Sequence, residues 1–166
     1  VYANDLPKKS SFICTFVCIH SCTWTRELYN GAIAKEIDMK VNVYQFNLTE
    51  MERVELENIG FEATDRISKW GDKRLLQFAG DEAVAEFAAA NFHEYELVVT
   101  VEVPDTDEWS ALESAYGAMN LWDKPEKITR HRMCASMSIG DICEINGQLF
   151  VCATFGFDKF SLGEAA

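Results

Sequence analysis

Apolar positions alternate at the start of residues 39–46, with Val41 and Val43 followed by Tyr44 and Phe46, and this β-branched pattern predicts a strand. Thr49 is followed three residues later by Glu52, a pair that satisfies free N–H groups at a helix start in both directions, so residues 50–58 are expected as a short helix closed near Gly60. Residues 63–70 predict a second helical stretch broken by Gly71 and Asp72, and Leu75, Leu76 and Phe78 predict a short strand. Behind them Val84, Phe87, Ala88 and Phe92 recur at helical spacing, with Asp81 as the expected N-cap and Glu82 and Glu86 favouring the positive end of the helix. Residues 95–103 carry Leu97, Val98, Val99, Val101 and Val103, a run suited to a central strand that Pro104 stops. Asp105 and Glu108 form a second capping box, and Trp109, Leu112, Tyr116 and Met119 make the expected core stripe of a helix over 107–121.

Asp123, Lys124 and Pro125 predict a loop, and Arg130, His131 and Arg132 form a compact basic patch. Residues 141–145 and 148–155 are expected as strands joined by Asn146-Gly147, a dipeptide that accepts the two positive φ angles of a tight hairpin. The order of elements predicts an α+β fold: a mixed or mainly antiparallel sheet of about four or five strands, three helices packed mainly on one face, and a terminal β-hairpin.

The chain of 166 residues is expected to hold a single such domain over 39–166. Its composition, 48% hydrophobic and 25% charged, is that of a soluble globular protein, and no uninterrupted apolar stretch is long enough to span a bilayer. A net charge of −12 argues against direct nucleic-acid binding, which relies on clustered Lys and Arg to neutralise phosphates. Between residues 75 and 123 there is no Lys or Arg, but there are eleven carboxylates. A solvated acidic surface explains them. The sharper reading is an interaction face, with Glu94, Glu96, Glu102, Asp105, Asp107, Glu108 and Glu113 as its candidates, presented to a basic or DNA-binding host protein.

Residues 1–38 stand apart. Lys8 and Lys9 before the apolar run 12–19 imitate a signal peptide, but His20, Ser21 and Cys22 interrupt the run and no small-residue cleavage site follows. Lys35-Glu36 can be encoded as AAGGAG, a ribosome-binding sequence two codons ahead of an ATG at Met39. Two readings therefore stand: residues 1–38 belong to the protein, or they are translated upstream sequence. Cys14, Cys18 and Cys22 match no zinc signature, whereas Cys134, Cys143 and Cys152 sit among apolar residues and read as buried free thiols of a reducing cytoplasm.

Ser136-Met137-Ser138-Ile139-Gly140-Asp141-Ile142, then Asn146-Gly147, Phe150-Val151-Cys152 and Phe155-Gly156-Phe157, resemble the YodL-type domain of phage and mobile-element accessory proteins. The strand over 95–103, the Leu112 helix and the Pro125 loop follow that family's order, so the resemblance covers residues 95–157. It implies a setting on phages, plasmids or integrated elements, and no catalytic residue. Ser136, Ser138, Gly140, Asp141, Asn146, Gly147, Gly156 and Phe157 are expected to build a turn and hairpin: serines and Asp141 satisfying backbone N–H groups, Gly140 at positive φ, Gly156 permitting a bulge.

No nucleophile elbow, P-loop, dinucleotide fingerprint or HExxH motif occurs, and no cofactor or metal is expected. His131 and Cys134 are close in sequence, which does not align them as base and thiol. Asp105, Asp107 and Glu108 carry oxygen ligands for a divalent cation, yet helix capping already accounts for them. The favoured expectation is a non-enzymatic accessory protein that binds a host protein. The alternatives are an acidic DNA-mimic or antirestriction-type inhibitor, and a small-ligand binder or hydrolase.

Overall fold

A computed structural model of the chain describes residues 39–104, 107–121 and 127–163, all within the unit Lys35–Ala166. Its centre is a six-stranded sheet: β1 (Met39–Gln45), β2 (Glu96–Val103), β3 (Lys127–Arg130), β4 (Ile142–Ile145), β5 (Gln148–Cys152) and β6 (Phe157–Phe160), in spatial order β3-β2-β1-β4-β5-β6. Every pairing is antiparallel. Among the described residues four α-helices accompany it: α1 (Glu50–Ile59), α2 (Asp65–Leu75), α3 (Asp81–Ala90) and α4 (Glu108–Asn120).

The α+β class stands, with more elements than the sequence pattern indicated. β3 and β6 are the added strands, so the chain closes with a β4-β5-β6 meander instead of a bare hairpin. Helices also cover both faces of the sheet, not mainly one. Val41, Val43, Val99, Val101, Cys143 and Phe150 share a core with Ala111, Leu112 and Ala115 of α4. Ile142, Val151 and Phe160, which alternate onto the opposite face, pack with Val84 and Ala88 of α3 and with Leu76. Fully burying one such aliphatic or aromatic side chain contributes about 1.5–3 kcal/mol, so these two clusters hold the layers together.

Local corrections have physical causes. α2 runs through Gly71, and the glycine there is a packing position: a methyl would meet Phe61 Cδ1 at 2.7 Å. Leu75 ends α2 and residues Leu76–Phe78 form a 3₁₀ turn, not a strand. Gly80, not Asp81, is the N-cap of α3, and Asp81 Oδ1 instead accepts from Thr154 N at 3.2 Å. The N-cap of α4 is Asp107, which accepts from Ser110 N at 3.0 Å, while Asp105 lies outside the described residues, as do Asp123-Lys124-Pro125 and residues 1–38. The inner face of α4 is made by Ala111, Leu112, Ala115, Ala118 and Met119; Trp109 is 54% exposed and Tyr116 is also exposed, and each meets a core ring edge-on, Phe150 or Phe157.

Candidate functional site

Where β1 ends and β4 begins, the sheet carries two buried polar side chains, Gln45 and Asp141. Buried polar groups must be bonded, and these bond each other: Gln45 Nε2 donates to Asp141 Oδ2 at 2.9 Å, and Gln45 Oε1 accepts from Ala135 N at 3.0 Å. The same Asp141 oxygen accepts from Ser138 N at 2.9 Å, closing a turn in which Gly140 has φ +81°. Tyr95 Oη donates to Gly140 O at 2.8 Å, and burial followed by the charge of Asp141 pushes that phenol well above its ordinary pKa. Lys73 of α2 completes the group, its Nζ donating to Asp141 Oδ1 at 2.6 Å with only 10% of the side chain exposed.

This ion pair forms the floor of a cleft of about 510 Å³ whose rim includes Trp70, Arg74, Gln77 and Ser136. Arg74 lies over the Trp70 ring at 5.1 Å, and no carboxylate among the described residues pairs with it. The cleft thus gathers Lys73, Arg74 and Asp141, a local excess of one positive charge in a chain of net charge −12.

A second polar group lies on the open part of the sheet. Tyr44 Oη donates to Glu144 Oε2 at 2.6 Å, Asn42 Nδ2 donates to the same oxygen at 3.4 Å, and Thr100 Oγ1 donates to Asn42 Oδ1 at 2.9 Å. Because the Thr100 proton is committed to Asn42, the 2.9 Å contact between Thr100 Oγ1 and His131 Nε2 has the imidazole as donor. Burial, then the bond and charge of Glu144, pushes Tyr44 up to about 12.

Of the residues singled out in the sequence, Ser136, Ser138, Gly140 and Asp141 meet at the cleft. Asn146 and Gly147 turn between β4 and β5 with φ +52° and +79°, and Gly156, at φ +78°, accepts from Ala153 N at 3.0 Å to turn the chain into β6, where Phe157 joins the core. His131, Cys134 and Asp141 do not converge: His131 bonds Thr100 on the open sheet, Cys134 lines a groove with Arg132 and Glu96, and Asp141 sits in the cleft. Cys143 and Cys152 are buried free thiols; burial raises Cys143 well above its ordinary value, and burial followed by the charge of Asp141 pushes Cys152 up to about 12.

The acidic candidates divide between both sides of the sheet. Glu102 alternates away from the α4 side and is held by Lys127 at 2.6 Å and Lys40 at 3.7 Å, whereas Glu108 and Glu113 belong to α4. Glu94 pairs with Arg66 at 3.0 Å, Glu96 with Arg132 at 3.4 Å, and Asp107 caps α4.

Sequence reading overlooked Lys73, Gln45, Tyr44 and Glu144. Gln45 left a signal: it is the third inward position of β1 after Val41 and Val43, where a polar group requires a buried partner. Among the described residues, no three of His, Cys, Asp and Glu gather as a metal site, and no helix is long and apolar enough to cross a membrane. The chain matches no protein-family model, no curated protein and no solved structure.

Proposed function

We propose that this domain is a non-enzymatic binding protein that docks a basic host protein on the outer face of α1. The observation that carries the reading is that α1 has no fully buried residue, yet Met51 is 75% and Val54 48% exposed. A ten-residue helix is marginal on its own, so something must hold it in place. The fastening is at its first turn. Thr49 and Glu52 form the reciprocal cap, and Arg66 donates from Nη1 to Glu52 at 2.6 Å, from Nε to Glu94 at 3.0 Å and from Nη2 to Asn47 O at 3.0 Å.

That clamp leaves the opposite surface of α1 presented to solvent. On a helix the neighbours of Val54 at three- and four-residue spacing are Met51, Glu50, Glu57 and Asn58. An apolar pair is therefore bordered by carboxylates that no cation among the described residues engages. The chemistry that complements it is an apolar ridge edged by Lys or Arg. Charged rims steer encounter while apolar centres hold the complex.

The resemblance of residues 95–157 to YodL-type domains supplies the setting, an accessory protein of a phage or mobile element acting in the cytoplasm of its host. A DNA-mimic mode gains no support from the carboxylates at Glu94, Glu96 and Glu102, whose charges are already paired.

Capture from bacterial lysate by the wild type, by Met51→Glu/Val54→Glu and by Glu50→Lys/Glu57→Lys tests the proposal. A basic partner retained by the wild type should be lost by the first variant even at low salt, and should be held more weakly by the second, with a shallower salt dependence. Equal capture by all three, or an acidic partner, would contradict it.

A further inference from the structure

The cleft at the end of β1 lies apart from the outer face of α1 and calls for a different occupant. We propose that it binds a small organic anion, the shared chemistry being a phosphate or carboxylate group attached to a compact organic body.

Asp141 cannot serve as the recognising group, since its carboxylate is 1% exposed and its oxygens are occupied by Gln45, Ser138 and Lys73. What remains along the lining of the cleft is a set of side chains that carry donors. The Lys73 ammonium has three hydrogens and bonds one acceptor, Asp141, among the described residues. Arg74 stands at the rim with its guanidinium over Trp70 and no carboxylate partner among the described residues, and Ser136 and Gln77 also line the cleft.

Donor-bearing side chains around a concave space, with a local positive excess, favour an anion. The volume of about 510 Å³ lies within the ordinary range for organic ligands and exceeds what a bare oxyanion fills. The lysine is fixed by its buried partner, so little ordering cost is left for binding. Asp141 here acts as a positioning residue: it orients Lys73 and closes the 138–141 turn, without touching the ligand.

The test is a backbone-amide NMR titration of the full chain with phenyl phosphate, benzoate and benzyl alcohol. The first two distinguish phosphate from carboxylate as the preferred group, and the third is the neutral control. At millimolar concentrations one or both anions should shift the amides of Lys73, Arg74, Gln77 and Ser136, and benzyl alcohol should leave them in place. Arg74→Ala, an exposed change that spares the buried pair, should weaken the anion about tenfold, the effect of removing one charge-assisted hydrogen bond. Equal shifts by benzyl alcohol, an unaltered affinity in Arg74→Ala, or no shift at these amides with any probe would each overturn the proposal.

Discussion

Removing the carboxylate of Asp141 should be the most damaging single polar change in the domain. In Asp141→Ala the Lys73 ammonium, whose side chain is only 10% exposed, loses its partner at 2.6 Å, Ser138 N loses its acceptor at 2.9 Å, and Gln45 Nε2 loses one acceptor at 2.9 Å while keeping Ala135 O at 3.2 Å. Breaking a buried ion pair from one side costs about 3–5 kcal/mol, and a stranded buried donor about 1–3 kcal/mol. These costs overlap, so a loss of about 4 kcal/mol is expected, a large part of the roughly 5–15 kcal/mol that stabilises an ordinary domain. Lys73→Met should cost less, about 2 kcal/mol, because Asp141 keeps its bonds from Ser138 and Gln45. The double variant should fall short of the sum by about 2 kcal/mol, since it no longer contains an unpaired ammonium. Urea unfolding followed by tryptophan fluorescence measures all three; at a slope of about 2 kcal/mol/M the Asp141→Ala midpoint should drop by about 2 M. A drop under about 0.5 M, or strict additivity in the double variant, would show that the pair is solvated and not a buried anchor.

Other positions give sharper local tests. Gly140→Ala should cost about 2–3 kcal/mol, combining a left-handed backbone at φ +81° with a methyl 2.9 Å from Leu76 Cδ1, whereas Gly147→Ala, at φ +79° in open space, should cost about 1 kcal/mol; the two are compared in urea. Thr49→Ala should cost about 1 kcal/mol and speed amide exchange selectively in α1, because it removes the acceptor for Glu52 N at 3.3 Å. The folded Tyr44 pKa is raised from 10.0 to about 12, so its contribution to stability is complete below pH 10 and disappears as pH rises through about 12. Absorbance at 295 nm should therefore show that the phenolate missing from Tyr44→Phe is one that titrates near the upper value; a missing phenolate at the lower value would refute the Tyr44–Glu144 bond.

What could be read from sequence was local. The Thr49/Glu52 cap located α1, and Asn146-Gly147 located the turn between β4 and β5, because in both cases the residues that set the geometry are neighbours in the chain. The missed features depend on distant partners. Gly71 has the composition of a helix breaker, yet it lies inside α2 where the Phe61 ring leaves no room for a side chain. β3 spans four residues, Lys127–Arg130, with little apolar patterning, and it exists through its ladder to β2. In α4 the periodic stripe included Trp109 and Tyr116, but close approach to β1 and β2 selects the smaller face of Ala111, Ala115 and Ala118. The cleft was half legible: the Ser136–Asp141 motif marked one wall, while Lys73 and Gln45, 68 and 96 residues from Asp141, are brought there by the fold alone.

Hydrogen exchange across α1, with and without the recovered partner, tests the binding role most directly. Docking on Met51 and Val54 should slow exchange throughout Glu50–Ile59 and leave the amides of β4 and β5 unchanged. An α1 that exchanges at the same rate in the complex, with protection elsewhere on the domain, would contradict the assignment of this helix as the contact surface.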